Sequence, residues 1–255
     1  MVQKLSVCII CKNEEDKIER CLSSLTFADE IVLLDSGSTD ETLTIAKKFT
    51  DKIYIREDWL GFGEQRRRAE ELATNDWILA IDSDEVVPEA LQVEIKAQMQ
   101  SVNDDDVLVL NRLTSFCGKF VHHSGWYPDP IVRIYNRTKY RYNENLVHES
   151  VSCKGSKKIQ LKENLLHYTF DNLKDYLVKR CGYAEAWAEE RYKKGKSSSS
   201  LKAVTSAVFA FFRHYILRLG FLDGRTGLLI SVIQMQYTFN KYMLLVLKNE
   251  RIKKS

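Results

Sequence analysis

The sequence predicts an α/β protein with a mostly parallel sheet and helices on both faces, and three observations support that class. Apolar runs of strand length alternate with helical patterns through the first third of the 255-residue chain. Such alternation requires crossover connections, which place successive strands parallel. At 44% hydrophobic content the chain can bury a full core. Two apolar runs also end in carboxylates, and ligands of open α/β sheets bind outside the carboxyl ends of the strands.

The alternation predicts a regular series of strands and helices up to residue 99. In chain order these are strand Leu5–Ile10, helix Glu14–Leu25, strand Ile31–Leu34, helix Glu41–Phe49, strand Ile53–Ile55, helix Glu64–Leu72, strand Trp77–Ile81 and helix Pro88–Met99. Ser38 precedes Glu41 by three residues, which matches a capping box. The second helix is therefore predicted to begin directly after an acidic turn, capped by the Ser38 hydroxyl.

The regular alternation ends after a strand at Val107–Leu113. Residues Ser115–Pro130 form a predicted loop rich in Gly, His and aromatic side chains, and long ordered loops are more often functional than idle. Trp126 and Tyr127 of this loop can either stack on a sugar face or pack within the protein. The later predicted elements are short antiparallel strands and one helix: Ile131–Tyr135, Lys139–Tyr142, Lys157–Leu161 and Leu173–Tyr192.

A change of composition near residue 193 predicts the domain organisation. Residues 193–200 are Lys, Gly and Ser only, which is typical of a linker between a catalytic domain at 1–192 and a helical region at 201–255. From Lys193 onwards twelve Lys and Arg accompany two Asp and Glu, although the whole chain has a formal charge of only +3. A segment of this sign favours anionic partners.

The C-terminal helical region is amphipathic and is predicted to lie on an anionic membrane surface. Apolar side chains recur at helical spacing, namely Val204, Val208, Phe211, Tyr215 and Leu219. The later segment Leu228–Leu247 contains Gln and Asn, so it lacks the uninterrupted apolar stretch of about 20 residues that a spanning helix needs. The alternative is that the aromatic side chains pack against the catalytic domain or a second subunit.

The cysteines and the N-terminus bear on the cellular compartment. The six cysteines have no regular spacing and Cys8 lies within an apolar strand, so we expect reduced thiols. Residues Met1–Lys4 do not begin the long apolar stretch of a signal peptide. The expected location is cytoplasmic, peripheral on the inner face of the cytoplasmic membrane.

The segment Asp82-Ser83-Asp84 carries the strongest chemical signal. Its carboxylates follow a buried strand and can hold a hard divalent cation through oxygen ligands. A cation at that place would neutralise a diphosphate leaving group. The alternative is a solvated acidic helix N-terminus, since carboxylates favour that position and Pro88 follows.

Three motifs, in their order and spacing, resemble the GT-A glycosyltransferases of family 2: Cys11-Lys12-Asn13-Glu14, then Asp35-Ser36-Gly37-Ser38-Thr39-Asp40, then Asp82-Ser83-Asp84. Further segments look like the subgroup that adds glucose or a similar hexose to the lipopolysaccharide inner core. These are Gly61–Arg67, Ser124–Asp129, Val132–Arg137, Leu146–Glu149 and Leu166–Tyr168.

The resemblance implies an inverting, metal-dependent hexosyltransferase with a GT-A fold. Its cofactor would be Mn²⁺ or Mg²⁺, its donor a UDP-hexose, and its acceptor a lipopolysaccharide or lipooligosaccharide core or a related glycolipid, with no nucleic-acid partner. The implied donor contacts are Asn13, Glu14, Asp35, Arg67 and Asp82. The implied metal ligands are Asp82, Asp84 and His167.

The resemblance leaves the catalytic base open between two residues. In family 2 an acid after the later strands takes the proton of the acceptor hydroxyl, and chain order places Glu149, which follows His148, at that position. Asp129 is the competitor. His122 and His123 are adjacent on an extended strand and point apart, so we do not expect them to share a metal.

Two other classes of function remain as alternatives. A nucleotidyltransferase acting on sugar phosphates also binds a nucleotide and metal, but it usually has a Gly-rich basic loop after the first strand, and Cys11–Arg20 contains no Gly. A non-catalytic, membrane-associated scaffold of the same fold would have no need for Asp82, Asp84 and Glu149.

Overall fold

The structure, a computed structural model, describes residues 3–143 and 149–252, and their side chains up to residue 250. The chain forms two compact units. The first comprises Met1–Arg112 and Asp129–His167, and the second comprises Leu113–Pro128 and Tyr168–Ser255. These units differ from the predicted domains 1–192 and 201–255, because the helix Leu173–Lys193 packs with the C-terminal helices. The Lys, Gly and Ser segment joins two helices of the second unit.

In the described ranges of the chain, eleven strands form two sheets. They are β1 (Leu5–Cys11), β2 (Glu30–Asp35), β3 (Ile53–Ile55), β4 (Trp77–Asp82), β5 (Glu85–Val86), β6 (Asp106–Phe116), β7 (Lys119–Phe120), β8 (Pro130–Asn136), β9 (Arg141–Tyr142), β10 (Val151–Ser152) and β11 (Lys157–Phe170). The larger sheet has nine strands in the order β3-β2-β1-β4-β8-β6-β11-β5, with β7 beside β6. The strands β9 and β10 pair with each other.

The first four strands of the larger sheet are parallel, which confirms the predicted fold class. β1 pairs in parallel with both β2 and β4, and β2 pairs in parallel with β3. The helices between them are α1 (Ile18–Ser23), α2 (Thr42–Ala46) and α3 (Phe62–Glu71), and α4 (Glu89–Met99) follows β5. β8 joins β4 in the antiparallel direction. The parallel half and the antiparallel half therefore meet at β4.

β1 is buried on both faces, which explains its continuous apolar run. Leu5, Val7 and Ile9 pack in one core with residues of α1 and α4, whereas Cys8 and Ile10 pack in a second core with residues of α3. Alternate residues of a strand point to opposite faces, so helices on both sides demand apolar residues at every position.

The predicted capping role of Ser38 is wrong. The helix that follows begins at Thr42, and the residue before it makes no side-chain cap. The Ser38 hydroxyl instead donates to Asp35 and accepts the backbone N–H of Asn13. Ser38 therefore joins the turn after β1 to the turn after β2, at the end of the sheet where ligands bind.

The antiparallel half of the sheet curls so that its two edges meet. Only Ser83 and Asp84 separate β4 from β5, yet β5 lies at the far edge of the sheet and pairs with β11. The run β4-β8-β6-β11-β5 must therefore bend back on itself. In this pairing His167 lies opposite Glu85. The curl thus brings His167, from late in the chain, beside the segment Asp82-Ser83-Asp84.

The second unit is built around three helices: α5 (Leu173–Lys193), α6 (Ser200–Phe212) and α7 (Gly224–Ile252). The side chains of Asn172 and Ser199 cap the first two by accepting backbone N–H groups. α7 packs against both α5 and α6. Within the described residues, no helix combines the length and the apolar character needed to cross a membrane.

The loop predicted to be functional contributes to the core of the second unit. Phe116, Val121 and Trp126 pack there with side chains from three other segments, Phe170, Tyr176, Ile230 and Ile233. The Trp126 ring lies 5.8 Å from Phe116 and 6.0 Å from Tyr176, so it packs within the protein. The loop is also held by Asp223, whose carboxylate accepts the backbone N–H groups of His122 and His123. As expected, the two histidine side chains point to different partners, Tyr127 and Asp223.

Candidate active site

The carboxyl ends of three parallel strands bring the predicted donor-binding residues together. In the strand register, Cys11 of β1 lies opposite Asp35 of β2, and Ile10 lies opposite Asp82 of β4. Asp35 and Asp82 therefore flank the end of β1 at one level of the sheet, as the sequence predicted. This edge carries the candidate active site.

Hydrogen bonds join the turns after β1 and β2. Residues predicted to contact the nucleotide-sugar donor take part in them. The Asn13 side-chain oxygen accepts the backbone N–H of Thr39 at 2.8 Å, and the Asn13 backbone is in the left-handed region at φ 54°. Asp35 is fully buried, and one of its oxygens accepts the backbone N–H groups of Gly37 and Ser38, both at 2.8 Å. These residues thus fix the shape of the two turns, while Asn13 itself is exposed.

Asp82 is held between two buried arginines. One carboxylate oxygen accepts a hydrogen bond from Arg66 and the other accepts one from Arg133 at 2.6 Å. Burial raises the pKa of Asp82, but the charges and hydrogen bonds of Arg133 and Arg66 outweigh it and hold that pKa well below the ordinary value. Asp82 is therefore an ionised carboxylate whose oxygens already have partners.

Helix α3 buries a polar face, and side chains of that face contact residues of this site. Gln65, Arg66 and Glu70 are buried, and the Gln65 amide donates to the Ser36 hydroxyl at 3.0 Å. Arg67, the predicted donor contact, lies about 100° further round the helix. Its Nε donates to the carbonyl of Tyr142 at 2.8 Å. The structure therefore brings Arg66, rather than Arg67, to the acidic segment.

Sequence reasoning missed two further charged residues, Arg133 and Glu85. The Arg133 guanidinium also contacts the fully buried Glu85 carboxylate at 2.7 Å. Burial and the neighbouring Asp82 charge raise the pKa of Glu85, although Arg133 lies against it. The signal in the sequence was an arginine in the middle of the apolar run Ile131–Tyr135, since a buried arginine needs an acidic partner.

The paired charges extend as a series of alternating sign. Arg112 lies 3.7 Å from Glu85. Its Nε donates to Asp129 Oδ2 at 2.9 Å, and its Nη2 lies 2.8 Å from the same oxygen in an ion pair. We call this series the charge network, and its members in spatial order are Arg66, Asp82, Arg133, Glu85, Arg112 and Asp129. Asp129, one of the two predicted bases, is thus tied to an arginine.

Asp84, at the end of the same acidic segment, forms a pair with His167. The His167 Nε2 lies 3.3 Å from an Asp84 carboxylate oxygen, and both side chains are largely buried. Burial raises the pKa of Asp84, but the hydrogen bond and charge of His167 bring it below the ordinary value. Glu14 lies close by, where burial raises its pKa, the Asp84 charge adds to that rise, and a hydrogen bond with Ser83 opposes it.

The donor set of Asp84 and His167 fits a divalent cation. Carboxylate oxygen is a usual ligand of Mg²⁺ and Mn²⁺, and imidazole is a common ligand of transition metals. In the part of the chain that the structure describes, no three His, Cys, Asp or Glu side chains group so as to hold an ion together. A Mg²⁺-type site needs only one or two carboxylates, because phosphate oxygens of the substrate supply further ligands. Asp82, predicted as a ligand, points its oxygens at arginines.

The second predicted base, Glu149, lies at the edge of the described chain. It is partly buried and stands two residues before β10. The adjacent Ser150 accepts the backbone N–H of Asn143 on its carbonyl at 2.9 Å. The neighbouring Tyr142 ring lies 5.1 Å from the Arg66 guanidinium. His148 and the rest of 144–148 lie outside the described residues.

Comparisons with known proteins agree with these features. The family model described as "Glycosyl transferase family 2" matches residues 6–164. An uncharacterized glycosyltransferase of Rickettsia conorii is 30% identical over 272 residues, covering 100% of this chain and 93% of that relative. The lipopolysaccharide core biosynthesis glycosyltransferase LpsC of Rhizobium meliloti is 26% identical over 259 residues, covering 94% of this chain and 93% of that relative.

One solved structure resembles the chain over nearly its whole length. It is S. aureus TarS, residues 1–349, in complex with UDP, with a TM-score of 0.50 and 16% identity. The match covers 98% of this chain and 92% of that chain. At this identity the likeness concerns the fold alone.

Proposed function

Because the chain belongs to glycosyl transferase family 2, we propose that it is an inverting hexosyltransferase that moves glucose from UDP-glucose to a lipopolysaccharide core or related glycolipid. The observation that carries the proposal is the Asp84–His167 pair beside the turns after β1 and β2. The relative LpsC is a lipopolysaccharide core glycosyltransferase, which supports this choice of acceptor. Family membership leaves the nucleotidyltransferase alternative without support.

The donor would bind across the carboxyl ends of β1, β2 and β4. In this proposal the turns shaped by Asn13 and Asp35 receive the nucleoside, and Asp82, oriented by Arg66 and Arg133, faces the ribose. Asp84 and His167 would hold Mn²⁺ or Mg²⁺, which when bound neutralises charge on the departing diphosphate.

Inversion at the anomeric carbon requires a single displacement of the diphosphate, assisted by one general base. A carboxylate would accept the proton of the acceptor hydroxyl while that oxygen attacks the anomeric carbon from the face opposite the diphosphate. We propose Glu149 for this role. Asp129 is the weaker candidate, because Arg112 already donates a hydrogen bond to one of its oxygens and forms an ion pair with it.

A donor panel tests the proposed function. The full-length protein is incubated with UDP-glucose, UDP-galactose, UDP-N-acetylglucosamine and GDP-mannose, with and without Mn²⁺, and with a core glycolipid as acceptor. We expect release of UDP from one UDP-hexose only, dependent on both the cation and the acceptor. Absence of nucleoside diphosphate release from every donor in the presence of acceptor would favour the non-catalytic scaffold instead.

We also propose that the protein works at the inner face of the cytoplasmic membrane. An exposed apolar stripe on α6 and the turn that follows supports this proposal: Leu201, Val204, Val208, Phe209, Phe212 and Ile216. Lys202 and Arg213 are exposed on the same segment. Such a helix can lie in the headgroup region, with the cations attracted by about 1 kcal/mol each to anionic lipids.

The stripe predicts a specific loss of membrane binding. The double variant Val208→Glu with Phe212→Glu should lower pelleting with phosphatidylglycerol liposomes by about tenfold or more, because each exposed apolar side chain is worth roughly 1.5–3 kcal/mol when buried. The matched control Gln236→Glu with Asn240→Asp adds the same charge on α7 and removes no apolar surface. Equal pelleting of both double variants would show that the stripe does not contact lipid.

A further inference from the structure

Four cations and three aromatic rings gather on the helices of the second unit. The Arg180 guanidinium lies 3.7 Å from the centre of the Tyr237 ring, and the Lys241 ammonium lies 5.0 Å from the same ring. We call this group the cationic cluster, and its members are Arg180, Arg191, Lys202 and Lys241 with Trp187, Tyr237 and Tyr242. Each ring is partly exposed, so the cluster is open to solvent.

Lys241 is the centre of the cluster because it shares a ring with every other cation. It lies 4.9 Å from Trp187, a ring that Arg191 also approaches at 5.1 Å. It lies 5.5 Å from Tyr242, a ring that Lys202 approaches at 5.7 Å. Cations from α5, α6 and α7 therefore lie together around the half-buried ammonium group of Lys241.

Within the described residues, the cluster cations lack the close acidic partners that neighbouring lysines have. In the described part of the chain, none of the ion pairs includes any of the four cations, whereas Lys193, Lys194 and Lys248 on the same helices each pair with a glutamate. The Arg180 Nε is buried without a hydrogen-bond partner. Burial and the charges of Arg180 and Arg191 lower the pKa of Lys241. Cation–π contacts offset part of the repulsion, by about 0.5–1 kcal/mol each at exposed sites.

We propose that the cationic cluster is a binding site for a phosphoryl group. A phosphoryl group carries more than one negative charge and several acceptor oxygens, so it can bind guanidinium forks and an ammonium at once. Its oxygens would supply ion-pair partners for the four cations, and the aromatic walls would exclude water from one side. The group could belong to a lipid headgroup or to a soluble phosphate ester. The site does not depend on the proposed transfer reaction.

The test compares two double variants that remove equal charge. Lys202→Gln with Lys241→Gln removes cluster cations, and Lys193→Gln with Lys194→Gln removes cations that pair with glutamates. Inorganic phosphate is titrated into each full-length protein by calorimetry at constant ionic strength, and vesicles of phosphatidic acid in phosphatidylcholine are compared with phosphatidylcholine alone. We expect the cluster variant to bind phosphate about tenfold or more weakly, and the control variant to match the wild type.

The outcomes separate the two sources of phosphoryl group. Loss of both phosphate and phosphatidic acid binding identifies a site that reaches lipid headgroups, and loss of phosphate binding alone identifies a site for soluble esters. Arg191→Gln, at an exposed position, guards against misfolding and should weaken phosphate binding in the same direction. Equal weakening in both double variants, or unchanged binding in the cluster variant, overturns the proposal.

Discussion

Replacing Glu149 with glutamine is expected to reduce acceptor-dependent transfer by about 10²–10⁴-fold, the usual contribution of a general base. The amide keeps the shape of the side chain and removes its ability to accept a proton. Donor binding should be unchanged, since the turns after β1 and β2 are untouched. Transfer is measured as product formed on the glycolipid, and donor binding as UDP affinity.

Asp129→Asn is the paired control for this experiment. Its Oδ2 atom accepts a hydrogen bond from Arg112 and forms an ion pair with that guanidinium in the wild type. The amide variant should therefore slow transfer only modestly, through a shift of the charge network. If Asp129→Asn abolishes transfer and Glu149→Gln only slows it, the base is Asp129.

Asp84→Ala is expected to abolish metal-dependent transfer and to leave the fold intact. Losing one electrostatic contact to a developing negative charge costs about 10²–10³-fold in rate. The Asp84 side chain contacts His167 and is not part of the hydrophobic core. The measurement is the initial rate of transfer across a Mn²⁺ titration, together with a thermal unfolding curve. Wild-type rates across the titration would exclude Asp84 as a ligand.

Asp82→Ala provides the contrasting control. Removing this carboxylate leaves Arg66 and Arg133 without their shared partner in a buried place. Breaking a buried pair in this way costs about 3–5 kcal/mol of unfolding free energy. The two aspartates, separated by one serine, should thus give different phenotypes: Asp82→Ala lowers both stability and donor binding, whereas Asp84→Ala lowers activity alone.

Much of the sheet could be predicted from the sequence because its strands are buried on both faces. The run Trp77–Ile81 gave the strand β4 almost to the residue. The helices Ile18–Ser23 and Thr42–Ala46 are shorter than predicted, since side chains in each of the turns before them accept backbone N–H groups of the other turn instead of capping a helix. Local patterns describe such turns poorly, because their hydrogen bonds join residues about 25 positions apart.

The site could be predicted in part. The approach of His167 to Asp84 agrees with the predicted metal residues, but the curl of the sheet that produces it depends on long-range pairing of β5 with β11. The choice between Arg66 and Arg67 depends on the rotation of one helix by about 100° per residue. The role of Arg133 as a partner of Asp82 depends on the sheet, which places its strand beside the strand that ends in Asp82. The predicted base remains a prediction until the paired variants are compared.

The charge network described above constrains how this protein can diverge over evolution. Its positive and negative members balance, so a substitution at Asp82 or Arg133 leaves a buried neighbour without its matching charge. Divergence within it must therefore proceed by paired changes, which arise far less often than single ones. Exposed loops carry no such penalty. New sugar preferences are thus expected to arise in the loops around the site, while the frame beneath them is inherited nearly unchanged.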